Sequence, residues 1–305
     1  MGLPMQLSVK IKDLSCIFLT YNEPRREEFW QTIQRMLPEA KRVDGVLGSD
    51  AAHKAAAAAS DTDRFILIDG DNLPEPSFFD QTLTFDNNNV DCVLRWRARN
   101  NINGLVYGNG GISCWTKEFV NNMRTHENTD GRSETQVEFC FDRRYLPLWN
   151  CYSVTYPNHS GLQAWRAGFR EGVKMCLDRG RRVSIEEFLN MQNYQNLEYL
   201  NIWHSIGADV ENGRYAIYGA RLGTYKVMLE PDWDYTEVQD FTKLDRLFTA
   251  IDSQTFDDQR RHYRAISKEL KDKLGLHVLE MGSEQSAFFK KFYKRLHRNK
   301  DIMSS

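Results

Sequence analysis

No window of the sequence approaches the roughly eighteen consecutive apolar residues that a membrane-spanning helix needs. The opening MGLPMQLSVKIKDLS has no apolar stretch of signal-peptide length, so the expectation is a chain kept in the cytoplasm and off the membrane. No CxxC pair occurs among the six cysteines, Cys16, Cys92, Cys114, Cys140, Cys151 and Cys176; they are scattered, several inside apolar runs. That usage fits a reduced intracellular protein and argues against a zinc site. Charge of one sign is also lacking: 40 Lys and Arg stand against 42 Asp and Glu, a formal net charge of -2. Any surface for a polyanion must therefore be a local patch. There is no repeat and no low-complexity linker, and 305 residues make one large domain or two small ones.

What is present, over the first 160 residues, is alternation. SCIFLTY is a short apolar run, the mark of a buried strand. NEPRREEFWQTIQRML follows, with Phe29, Ile33 and Leu37 four residues apart, which predicts a helix with Asn22 as N-cap and Pro24 in its first turn. KRVDGVLG is a second strand, SDAAHKAAAAAS is built from the best helix former, and RFILIDGDN is a third strand. The order β-α-β-α-β predicts an α/β fold with a mostly parallel sheet. In such sheets a ligand lies beyond the carboxyl ends of the strands. Asp69 and Asp71 fall there. Two carboxylates one residue apart can share a hard divalent cation, Mg²⁺ or Mn²⁺, together with a diphosphate. Asp-Gly-Asp-Asn is also good turn chemistry, and a turn is the competing reading.

Ser15 to Phe79 resembles the nucleotide-sugar half of GT-A glycosyltransferases, through IFLTYNEP and GSDAAHKAAAAASDTDRFILIDGDNLPEPSFF. The wording TYNEP, AHKAAA, TDRFILIDGDN and YGNGG is further similar to bacteriophage-encoded glycosyltransferases, some of which decorate hydroxymethylated pyrimidines in DNA. The resemblance implies a GT-A-like (Rossmann-like) sheet and a nucleotide-sugar donor, a UDP-sugar, with Mn²⁺ or Mg²⁺. It implies that Asp71 chelates the metal on the donor phosphates and that Asp69 lies near the ribose or holds a metal-bound water. It places Thr20, Tyr21 and Glu23 at the base and ribose, and Lys54 at the phosphates or base edge. Glu23 as a first-turn helix carboxylate and Lys54 as a solvated cation are the alternatives. The chain departs from the family at His53-Lys54, where Arg-Asn is more usual.

The middle of the chain supplies candidates for the acceptor side. Gly108-Asn109-Gly110-Gly111 lies between apolar runs. By the resemblance it is a loop that cradles the transferred sugar, with Gly110 against the donor; a plain hairpin turn is compatible with the same residues. In ETQVEFCFDRRYLPLW, Asp142 is the first candidate and Glu138 the second for a general base that deprotonates the acceptor hydroxyl. An ion pair of Asp142 with Arg143 or Arg144 is the alternative. His159 is a third metal-ligand candidate, since imidazole suits Mn²⁺ and some GT-A enzymes complete their site with a distant histidine.

After His159 a helix is predicted with an apolar stripe (Leu162, Trp165, Phe169, Val173) beside Arg166, Arg170 and Lys174. Those cations suit a diphosphate, a DNA backbone or plain solvent. The rest of the chain reads as mainly helical, and the expected division is residues 1–183 for the nucleotide-sugar and catalytic domain and 184–305 for a helical region that contacts the acceptor. In its last helix, SAFFKKFYKRLHRNK, aromatics alternate with Lys290, Lys291, Lys294 and Arg298, a footprint for phosphate contacts. The expectations are a glycosyltransferase, double-stranded DNA as partner, no membrane, and work in the cytoplasm of a phage-infected bacterium. A sugar nucleotidyltransferase would carry a glycine-rich loop after the first strand, and TYNEPRREE has no glycine.

Overall fold

The computed structural model describes residues 7–108, 111–123, 125, 142–190 and 194–296, without the side chains at 194 and 294–296. The predicted alternation is there. Strand β1 (Leu7–Lys10) leads into β2 (Ser15–Thr20), helix α1 (Arg26–Met36), β3 (Lys41–Asp44), α2 (Ser49–Ala59) and β4 (Arg64–Asp69). Four strands follow, β5 (Asn72–Pro74), β6 (Thr82–Phe85), β7 (Val93–Asn100) and β8 (Val106–Tyr107). After them come β9 (Ile112–Thr116), α3 (Lys117–Asn122) and the long β10 (Tyr145–Thr155). Asn22 is not a cap: the position before α1 is Arg25, and its side chain caps nothing.

The apolar runs place two strands at the centre. In β2, Phe18 faces one core with Phe29 and Ile33 of α1, while Ile17 faces the other with Ala56 and Ala57 of α2. In β4, Ile66 and Ile68 share the first core and Phe65 and Leu67 the second. A strand buried on both faces must be apolar throughout, which is why its pattern does not alternate.

The main sheet has eight strands in the order β3-β2-β4-β9-β7-β10-β5, with β8 paired to β7. It is mixed, and this corrects the expectation of a mostly parallel sheet. β2/β3, β2/β4 and β7/β10 are parallel, whereas β4/β9, β7/β9, β7/β8 and β5/β10 are antiparallel. Only Gly70 and Asp71 separate β4 from β5, yet β5 pairs at the far edge with β10. The sheet therefore curls, and the corner made by those two residues crosses its open end.

The second half is helical: α4 (Gly161–Lys174), the short hairpin β11 (Leu177–Asp178) and β12 (Arg181–Arg182), then α5 (Ile185–Leu189), α6 (Tyr194–Trp203), α7 (Gly213–Leu229), α8 (Phe241–Asp252), α9 (Phe256–Leu274) and α10 (Ser283–Leu296). One apolar core runs from Trp165 and Phe169 of α4 through Trp203, Leu222, Leu270 and Tyr293. The same core takes in Ile102 and Leu105 from the loop after β7, and Cys176, Leu177 and Val183 between α4 and α5. α4 and α7 cross with backbones in contact at glycine. A Cβ on Gly168 would lie 2.0 Å from the Ala216 carbonyl oxygen, and one on Gly219 2.0 Å from that of Trp165. Among the described residues no helix is long and apolar enough to cross a membrane.

Candidate functional site: a carboxylate cleft at the strand ends

β4 delivers Asp69 to the carboxyl end of the sheet, and the chain turns at once. Gly70 lets the Glu23 carboxylate come close, since a Cβ would lie 2.6 Å from it. Glu23, just before α1, accepts from the Tyr21 amide at 2.9 Å. The β2 and β4 ends therefore bring three carboxylates, Glu23, Asp69 and Asp71, to one place.

The Asp69 side chain is open to water although protein surrounds it deeply, the signature of a group on the floor of an open cleft. Desolvation first, then the charges of Asp71 and Glu23, push its carboxyl up to about 8. Asp71 is also raised, by desolvation and by Glu23, against hydrogen bonds from Asn72 and Thr155 that favour its charge. Among the described residues no cation pairs with any of the three. Three acidic groups are gathered here with no cation partner, and Asp69 and Asp71 hold their protons more tightly for it.

Asp71 is held in place by groups that the sequence did not mark. Asn72 Nδ2 donates to Asp71 Oδ1 at 2.9 Å, and Thr155 Oγ1 donates to Asp71 Oδ2 at 3.2 Å. Ser153 Oγ donates to Asn72 Oδ1 at 3.1 Å, which fixes the amide. The Tyr156 amide binds the Asp71 carbonyl at 2.8 Å. Gly111, at φ +68°, lets its carbonyl accept from the Asp69 amide at 2.8 Å, and its missing side chain leaves room for Asn72. The only sequence signal for Ser153 and Thr155 is polar residues in an otherwise apolar strand.

The other candidates scatter. Tyr21 stands exposed at the end of β2, beside Glu23. Thr20 is buried and spent internally: its hydroxyl donates to Asp44 at 2.6 Å and accepts from Arg42 at 3.0 Å. Lys54 pairs with Asp50 one helical turn earlier, at 2.7 Å. His159 lies on the same end of the molecule, its ring stacked on Tyr156 and edge-on to Phe29. Neither ring nitrogen has a hydrogen bond, and burial, then the Arg25 charge, lowers its pKa. Gly110 and Glu138 lie outside the described residues.

Asp142 is not brought to the cleft. It precedes β10, which runs parallel to β7 and hence in the same direction as β4. It therefore sits at the opposite end of the sheet from Asp69. There it binds Arg144 through two side-chain contacts, at 2.9 and 3.1 Å, and Arg144 also faces Asp91. That pairing holds its carboxyl below the usual range.

Among the described residues no three His, Cys, Asp or Glu side chains form a group able to hold a metal, so His159 is not assembled with the aspartates as a ligand set. The donors still fit a hard divalent cation of the kind that takes one or two carboxylates and fills its remaining positions with water and ligand phosphates. Two raised, unpaired carboxylates, one of them oriented by hydrogen bonds, are such a set. A cavity of about 540 Å³ among Phe188, Leu197, Ile202, Leu276 and Phe289 belongs to the helical half and lies away from these carboxylates.

The basic stripes are also partly spent. Arg166 pairs with Asp245 at 3.3 Å and stacks on Phe241, and Arg170 lies over the same ring, so two of the three α4 cations expected to face DNA pack against α8 instead. Lys290 pairs with Asp209 at 2.6 Å and donates to the Asn101 carbonyl. Lys291 is exposed; the side chain of Lys294 and all of Arg298 lie outside the described residues. Phe289 and Tyr293 pack inward, whereas Phe288 and Phe292 face out. No protein-family model matches the chain, and no curated protein matches it as a relative.

Proposed function

We propose that this chain is a metal-dependent glycosyltransferase of GT-A type that takes a sugar from a UDP-sugar and transfers it to a hydroxymethylated pyrimidine in phage DNA. The observation that carries the reading is the uncompensated trio Glu23, Asp69 and Asp71 at the ends of two parallel strands, with Asp71 oriented by Asn72 and Thr155. Asp69 and Asp71 would hold Mn²⁺ or Mg²⁺, which would neutralise the diphosphate leaving group. Tyr21 and Glu23 flank the place of the base and ribose. The acceptor hydroxyl attacks the anomeric carbon, the bond to the diphosphate breaks, and UDP leaves with the electron pair. Asp142, at the opposite end of the sheet, does not take the hydroxyl proton.

A polysaccharide or protein acceptor is the second reading. It is favoured by the burial of the Arg166 charge against Asp245, which removes one of the two expected DNA faces.

Titration calorimetry with UDP and Mn²⁺ tests the donor half: binding should need the metal and be lost in Asp71→Ala. Metal-dependent binding unchanged in that variant would end the reading. Mass spectrometry of nucleosides from hydroxymethylated DNA, incubated with enzyme, Mn²⁺ and a set of sugar nucleotides, tests the transfer.

A further inference from the structure

β7 carries arginine at every second position, Arg95, Arg97 and Arg99, so all three stand on one face of the sheet. They share that face with Val93, which packs in the core under α2 and α3. Toward β10 the apolar cover ends and the arginines take over. Among the described residues none of the three pairs with a carboxylate. Arg95 lies over the Tyr145 ring at 4.8 Å, and its Nε has no hydrogen-bond partner. Arg97 lies over the Trp149 ring at 4.0 Å. Arg99 reaches only the Gly104 carbonyl, at 3.4 Å.

Trp149 is the unusual member. The pairing of β10 with β7 shifts register between Pro147 and Cys151, and the irregularity turns this indole outward. It is 73% exposed although Arg97 covers part of it. A large aromatic left in water in the middle of a strand, with guanidinium groups in a row beside it, is the chemistry of a nucleic-acid strand: bases stack on the ring and phosphates meet the arginines. Successive arginines two residues apart repeat about every 6.6 Å, a step of the same order as between phosphates of an extended strand. The row also leads somewhere. β7 runs in the same direction as β4, so Arg99 stands at the end of the sheet where the carboxylates lie; it is opposite Val154, whereas Thr155, which binds Asp71, points to the other face. Two exposed acids lie near the row, Glu198 beside Tyr199 and Tyr293, and Glu75 near Cys151.

We propose that the Arg95–Arg97–Arg99 row with Trp149 is a binding face for an extended single strand of nucleic acid, ending at the same end of the sheet as the carboxylate cleft. The statement that the bound strand is the acceptor rests on the proposed function; the binding itself does not. A half-buried row of arginines with one exposed stacking ring fits a single strand, whose bases are free to stack, better than a duplex, whose bases are already stacked.

Fluorescence anisotropy of labelled oligothymidylate against the whole protein tests this. Trp149→Ala should weaken binding about tenfold and Trp149→Phe should restore most of it, since stacking is kept. Arg97→Ala should weaken binding and reduce the salt slope by about 0.7, the share of one phosphate contact in a single strand. Asp71→Ala should bind the oligonucleotide normally while losing UDP and Mn²⁺. Wild-type protein that ignores the oligonucleotide at low salt, binds duplex DNA at least as tightly, or binds it unchanged in Trp149→Ala overturns the proposal. If binding depends on Trp149 but UDP with Mn²⁺ never binds, the strand site stands and the transferase reading falls.

Discussion

Thr155 donates its hydroxyl to Asp71 across 3.2 Å, joining the last residue of the longest strand to the corner that follows β4. The contact spans 84 residues of sequence and aims one carboxylate oxygen while Asn72 aims the other. Partners of this kind set the orientation and basicity of a metal ligand. Thr155→Val keeps the shape and removes the donor. It should weaken Mn²⁺-dependent UDP binding by about 10- to 100-fold, with the melting temperature nearly unchanged. Calorimetry beside a thermal melt reads both; unaltered affinity would mean that Asp71 is not a ligand.

The contact between α4 and α7 is a matter of backbone, not side chains. A methyl on Gly168 would meet the Ala216 carbonyl at 2.0 Å, and the obstacle cannot rotate away. Gly168→Ala and Gly219→Ala should each force the helices apart and cost about 1–3 kcal/mol or more. Urea denaturation measures this, and wild-type stability in both variants would show that the crossing can re-space freely.

The first five alternating elements could be read from sequence because each follows from local rules: apolar runs for strands buried on both faces, and spacing or alanine for helices. The placement of Asp69 and Asp71 at a strand end followed from them. The mixed sheet did not, because nothing within β9 or β10 tells which neighbour it will meet or in which direction. Asp142 was expected near the cleft because the resembled family carries such an acid past its glycine loop, but strand β10 lies between Asp142 and the cleft. The cations of α4 were visible as a stripe, whereas Asp245 and Phe241, which absorb Arg166 and Arg170, come from the first turn of α8, more than 70 residues later. Ser153 and Thr155 looked like ordinary strand residues until β5 folded against them.

His204 offers a pH test of the helical half. It is fully buried, with Nε2 3.0 Å from the Thr224 hydroxyl and its carbonyl bound by Arg221. Burial first, then the Arg221 charge, holds its pKa down at about 3, against an ordinary value near 6.5. Between those values the unfolded chain takes up a proton that the folded chain refuses. Stability therefore falls as pH drops below about 6.5, by up to about 1.4 kcal/mol per unit from this group. From pH 6.5 to 5 the wild type should lose up to about 2 kcal/mol more than His204→Gln, which has nothing to titrate there. Parallel denaturation profiles would mean that His204 takes its proton while folded.

Asp142 provides the opposite kind of test, one in which little should happen. Its two oxygens are engaged by Arg144, and the pair is partly exposed at the end of the sheet where β10 begins. From Tyr145 to Thr155, β10 runs alongside β7 from Val93 to Asn100, a distance of roughly 23 Å at the rise of a strand. A carboxylate that far from the cleft cannot accept a proton from a hydroxyl attacking there, since that transfer needs hydrogen-bond reach. Asp142→Asn keeps the size, loses the charge, and weakens an ion pair worth at most about 1 kcal/mol in that setting. Metal-dependent UDP binding and the rate of sugar transfer should both stay within about twofold of wild type. Steady-state kinetics with hydroxymethylated DNA decides the point. A fall of roughly two to four orders of magnitude in turnover with donor binding intact would return the base to Asp142. It would also require the strand β10 to bend back toward the cleft during catalysis.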